Sequence, residues 1–144
     1  MNWVKFVITI FIFLETGNIL VLYFFPDSKL ANGMGAFRAW EKSKENPGMH
    51  DLASYLVNWV AGTKLIFIGL LTVLLFTADR SSLLLTAGVM ALAISSFFWR
   101  LYPLIRKMDR EGMIEPPNYS KTLGWMIMGF IALFVAAILL TLCA

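Results

Sequence analysis

The sequence predicts an all-α integral membrane protein, a four-helix bundle with a short interfacial helix in its first connection. Three observations predict it. Of the 144 residues, 59% are hydrophobic and only 15% charged, and the mean hydropathy is +0.74, too apolar for the surface of a soluble domain. Four long apolar runs use most of the chain, and segments such as FVITIFIFL, LIFIGLLTVLLF and MIMGFIALFVAAILL lack the polar stripe that a soluble helix shows every 3.6 residues. The basic residues gather at the edges of those runs, where membrane topology places them.

The spans follow in order, each near the ~20 residues that cross ~30 Å of hydrocarbon. The first covers residues 3–25 and is closed by Pro26 and Asp27. It starts like a signal peptide, but no small-x-small site follows and the apolar run resumes through ILVLYFF, so it reads as an uncleaved span. The first connection, at about 25 residues, is too long for a simple turn. Within it Leu30, Met34, Phe37 and Trp40 recur at helical spacing, predicting a helix lying in the interface and ended by Asn46-Pro47-Gly48; a lid over a ligand is the alternative use.

The second span covers 51–76 and the third 82–102, joined by a tight turn around Thr77 to Ser81 into an antiparallel hairpin. Beyond the third, Leu101, Leu104, Ile105 and Met108 form one apolar face of an extension, with Pro103 placed to kink it. Glu115-Pro116-Pro117 breaks the chain. Asn118 or Ser120 then caps a fourth span over 122–142, with Trp125 near its interface. The whole chain, 1–144, reads as one transmembrane domain.

Charge and rare residues narrow the chemistry. The two long connections hold nine Lys and Arg (Lys29, Arg38, Lys42, Lys44, Arg100, Arg106, Lys107, Arg110 and Lys121), while the opposite side offers Lys5 and Arg80. This imbalance predicts cytoplasmic connections and both termini outside, in a bacterial inner membrane. Because the net charge of +3 follows topology, nucleic acid is not a predicted partner. One cysteine, Cys143, allows no internal disulfide or dithiol centre, and one histidine, His50, cannot build a bis-histidine haem. No metal or other cofactor is expected.

Two residues break the apolar pattern where breaking it is expensive. Glu15 lies near the middle of the first span and Lys64 near the middle of the second, at about 2.5–3.5 kcal/mol each on insertion scales. Antiparallel spans place them at matching depth, so an ion pair is predicted. Asn18 shares the face of Glu15. Asn58, about 120° away from Lys64, together with Ser96 and Arg100 on the third span, completes a predicted polar pocket opening to the cytoplasmic side. The opposing view is structural: the pair only sets which helix faces which, Ser95 and Ser96 bond back to their own helix, and Arg100 snorkels to phosphates.

The stretch AGTKLIFIGLLTVLLFTADRSSLLLTAGVMALAISSFFW resembles the central hairpin of the DoxX-like small four-helix membrane proteins. It shares a Gly-started helix with one charged residue, a short charged turn and a small-residue-rich helix. Lys64 stands where such proteins often carry an acidic residue, and their arginine near the start of the first span is absent. The resemblance implies the four-helix fold and no single activity.

Three functions stay open. The leading one is a non-catalytic protein binding membrane lipid or a small ligand, or an accessory subunit of a larger membrane complex. The second is a small transporter or channel subunit moving protons or a small solute. Last comes an enzyme acting on a lipid or quinone with Glu15 as acid/base, ranked lowest because no nucleophile–base set is present. Small residues (Ala87 and Ala91; Gly129, Ala132 and Ala136) allow close helix approach, either inside one bundle or in a homo-oligomer.

Overall fold

The first helix, α1 (Trp3–Phe24), stops where Pro26 removes the next useful donor. Its threonine hydroxyls are satisfied within the helix: Thr9 Oγ1 donates to the Lys5 carbonyl at 2.8 Å and Thr16 Oγ1 to that of Ile12 at 2.7 Å. Thr63, Thr72, Thr77, Thr86 and Ser95 make the same bond in their own helices. An unpaired hydroxyl in hydrocarbon costs several kcal/mol, about as an unpaired amide does, so this economy suits lipid contact. The computed structural model describes residues 3–143.

The first connection does not form the helix expected from Leu30. Leu30 is exposed, Ala31 and Asn32 turn through positive φ (50° and 59°), and a 3₁₀ turn covers Met34–Ala36. Only α2 (Arg38–Ser43) is helical, and it buries Trp40 against the protein. Glycine explains the difference. A Cβ on Gly35 would stand 1.9 Å from the Asp27 carbonyl oxygen, and one on Gly33 2.3 Å from that of Ser28. The chain folds back on itself there too tightly for a helix.

Asn46-Pro47-Gly48 opens a helix instead of closing one. Asn46 Oδ1 accepts from the Met49 amide at 3.3 Å and Pro47 takes the first helical position, where its missing N–H costs nothing. The resulting α3 (Pro47–Thr77) has 31 residues, about 46 Å, so its first turns extend beyond a ~30 Å hydrocarbon core. There His50 packs against Trp40, ring centres 4.8 Å apart and planes tilted by 58°, and its Nδ1 lies 2.9 Å from Ser43 Oγ, fixing α2 onto α3.

Two residues, Ala78 and Asp79, lead into α4 (Arg80–Ser95), which Asp79 caps by accepting from the Ser82 amide at 3.0 Å. A 3₁₀ turn (Ser96–Phe98) and an irregular Arg100 separate α4 from α5 (Leu101–Arg110). Pro103 is the local cause: it has no N–H for the Trp99 carbonyl four residues back, and its ring crowds that carbonyl, so the break falls just before it. At the start of the last helix, α6 (Tyr119–Cys143), Asn118 accepts from the Lys121 and Thr122 amides through its backbone carbonyl, and Ser120 Oγ is a donor, not a cap acceptor. The carboxylate of Asp109, from α5, accepts from the Asn118 amide (3.1 Å), the Ser120 amide (2.9 Å) and Ser120 Oγ (2.5 Å).

Four segments are long and apolar enough to cross a membrane: α1, α3, α4 continued through α5, and α6. Their outer faces carry Phe13, Phe76 and Leu92, each at least 75% exposed, a surface that water would not tolerate. The chain is thus an integral membrane protein built as an all-α four-helix bundle. Its core packs Ile8 and Phe11 of α1, Leu71 of α3, Leu83 and Ala87 of α4, and Phe134 of α6. Helix α1 lies along both α3 and α6, and α4 lies along α6. The expected hairpin partners α3 and α4 diverge beyond their turn, leaving an apolar groove of about 370 Å³ between Leu70 and Val89.

At one end the two long connections join into a collar. Residues Phe37 and Ile114 form an antiparallel bridge, with the Arg38 amide donating to the Met113 carbonyl (2.9 Å) and the Glu115 amide to that of Ala36 (2.8 Å). Ala36, Ile105, Ile114 and Leu123 close an apolar cluster beneath it.

Candidate functional site

The two membrane charges meet. Lys64 Nζ on α3 lies 2.6 Å from Glu15 Oε2 on α1. The same ammonium donates to Asn18 Oδ1, one turn further along α1. Asn18 then uses its amide as a donor, Nδ2 reaching the Ala31 carbonyl at 2.5 Å. Next to Ala31, Asn32 Oδ1 accepts from the Tyr119 hydroxyl at 2.6 Å, at the start of α6. A polar chain, joined through the Ala31–Asn32 backbone, therefore runs from mid-helix Glu15 to the collar and draws on α1, α3, the first connection and α6.

Depth follows from helix geometry. Glu15 lies nine residues inside the collar end of α1, about 13 Å, and Asn18 about 9 Å. Glu15 thus stands near the midpoint of α1, with Asn18 one turn nearer the collar. Its cover is the positive-φ turn at Ala31–Asn32, which places a backbone carbonyl directly over the Asn18 amide.

The site differs from the expected pocket in shape and membership. It opens sideways, not toward the collar. Lys64 retains 34% exposure and Glu15 24%, on an outer face of α3 shared with Trp59, Val60, Thr63 and Phe67 around a recess of about 530 Å³. Asn58 is exposed on α3 and has no part in the network. Ser96 gives its hydroxyl to the Ala93 carbonyl at 2.6 Å. Arg100 is exposed at the break between α4 and α5. All three were expected beside the pair, and the divergence of α4 from α3 is what removes the last two: α4 packs against α6, away from Lys64.

Sequence reasoning missed the groups that pin the collar above the site. Asp27 Oδ1 accepts from Lys44 Nζ and from Trp40 Nε1, both at 2.7 Å. The Lys44 ammonium, with the indole N–H second, holds the Asp27 carboxyl below its usual range. Glu115 binds Lys29 at 2.7 Å and Arg38 at 3.3 Å, and these cations, Lys29 foremost, lower its carboxyl likewise. These pairs link residues 77 and 86 positions apart, and no local spacing announces them. Asn32 and Tyr119 were equally hidden, although an Asn at a turn flanked by glycine is a recognisable candidate for positive φ.

The Glu15–Asn18–Lys64 group contains no nucleophile beside a base, and among the described residues no three His, Cys, Asp or Glu side chains gather at metal-binding distance. What it can do is present hydrogen-bond donors at a fixed depth. A lysine ammonium has three N–H groups, and the protein places acceptors on two of them, Glu15 and Asn18. Comparison of the chain with protein-family models, with curated proteins and with solved structures gave no match.

Proposed function

We propose that this membrane protein is a non-catalytic binding or accessory subunit whose working part is the Glu15–Asn18–Lys64 group. One observation carries the reading: the Lys64 ammonium is held 2.6 Å from Glu15, yet a third of its side chain faces outward beside Trp59 and Phe67. A pair that served only to register α1 on α3 would be better turned wholly inward, since partial contact with hydrocarbon is costly. The occupant it fits is apolar in bulk with one hydrogen-bond acceptor, such as a lipid-like molecule or the helix of a membrane partner. The turn at Ala31–Asn32 closes the collar end over Asn18, which favours holding a ligand over conducting one. In this proposal the collar is cytoplasmic, following its nine Lys and Arg, the membrane is a bacterial inner membrane, and the central hairpin belongs to the DoxX-like group.

Native mass spectrometry from mild detergent tests the binding reading. The wild type is expected to carry a reproducible apolar adduct, and a Glu15→Gln/Lys64→Met double variant to fold without it. If every adduct on the wild type persists on the double variant, the assignment to this site is overturned.

A further inference from the structure

A second site lies at the collar, where α4, α5 and α6 meet, and it does not depend on the Glu15–Lys64 reading. Helix α5 turns Ile105 inward and exposes Arg106, Lys107 and Arg110 around a recess of about 460 Å³, one wall of which is Tyr102 and Pro103 and whose single carboxylate is Glu111. The charge there is poorly neutralised. Lys107 reaches Glu111 only at 3.9 Å, the nearby Asp109 is consumed in capping α6, and no carboxylate pairs with Arg106 or Arg110 among the described residues.

Tyr102 also borders a second recess, of about 230 Å³, that descends along α6 between Phe98 and Met128, with Lys121 at its upper edge and Trp125 at its side. Its floor is Gly124: a Cβ there would stand 2.9 Å from Tyr102 Cε2, so only glycine lets the tyrosine ring lie against α6. The level of the groove is marked by Trp99 and Trp125, 79% and 78% exposed, as interfacial tryptophans are. From bottom to top the surface runs apolar, then aromatic, then lysine, then three cations.

We infer that these two recesses, which meet at Tyr102, together bind one anionic phospholipid, with an acyl chain along Phe98, Gly124 and Met128 and the phosphate and headgroup against Lys121, Arg106 and Arg110. The sequence of chemistries matches that of the ligand read from tail to head, and it sits at the depth where such a lipid lies. Clustered basic side chains beside a span favour anionic over zwitterionic headgroups, with each residue adding to the preference.

The test uses the full chain in nanodiscs of mixed phosphatidylglycerol and phosphatidylcholine, released into the mass spectrometer with increasing activation. One phosphatidylglycerol should stay bound to the wild type in preference to phosphatidylcholine. Arg106→Gln/Arg110→Gln should reduce that retention on the order of tenfold or more, with helicity and melting unchanged. Lys42→Gln, which removes a collar cation outside the groove, should leave it intact, as should Glu15→Gln/Lys64→Met. Equal loss with Lys42→Gln would mean general surface charge and would overturn the site. So would equal retention of phosphatidylcholine, or equally tight binding of soluble glycerol phosphate, which has no chain to fill the groove.

Discussion

Glycine 35 illustrates how much of this structure depends on single atoms. Its amide donates to the Pro26 carbonyl at 3.1 Å, and its missing Cβ is what lets the chain approach Asp27. Gly35→Ala therefore has to push backbone against backbone, and a loss of about 1–3 kcal/mol or more is expected, seen as a lower melting temperature and faster amide exchange at Arg38 and Glu115. Gly17→Ala, in α1 with no atom near the added carbon, should be neutral or slightly stabilising. The carboxylates nearby give a pH signature. Free carboxyls of Asp27 and Glu115 titrate near 3.8 and 4.5, and their cation partners lower both in the folded chain. A lowered folded value stabilises above the ordinary one and is lost as pH falls through the lowered one. Collar protection should be flat from neutral pH to about 5 and fade only below about 4, and Asp27→Asn should weaken it at neutral pH while flattening that acid limb. Glu15 and Lys64 were legible in the sequence because a charge inside an apolar run has no cheap explanation. Asn58, Ser96 and Arg100 were not separable from them, because membership depends on which way neighbouring helices turn.

Helix number and approximate bounds were equally legible, since span length follows from bilayer thickness. Helix starts were harder. Asn-Pro-Gly carries both a stop signal and a start signal, and only the Asn46–Met49 hydrogen bond decides between them. The cap of α6 comes from another helix altogether. Asp109→Ala should cost about 1–2 kcal/mol by freeing the first amides of α6, and because Ser120 is buried beneath it, Asp109→Asn should recover only part. The small residues divide by element as well. Ala87 and Ala91 are buried where α4 meets the bundle, whereas Gly129, Ala132 and Ala136 face outward on α6. With no atom within 4 Å of a Cβ at Gly129, Gly129→Leu should leave monomer melting unchanged. A marked drop would place a bundle contact there that the fold does not contain.

At the scale of the whole molecule, a splayed bundle is closed at one end by a collar and carries its polar group just beneath. The nine collar cations predict the side on which it lies. With Cys143 replaced by serine, a cysteine at Lys42 should resist membrane-impermeant thiol reagents in intact cells, and one at Ser81 should react; the reverse pattern inverts the topology. The pair, its depth and its shared face with Asn18 could be anticipated from sequence, but the collar could not, because it is assembled from contacts between distant connections. The most direct test of the central claim is a double-mutant cycle on melting stability with Glu15→Gln and Lys64→Met. Removing either partner strands the other in a low dielectric, where such losses reach about 3–5 kcal/mol. Each single variant should therefore melt lower than the wild type, and the double variant should recover part of the loss. Strictly additive losses would contradict the account, because they would mean that Glu15 and Lys64 act independently and that no shared site exists.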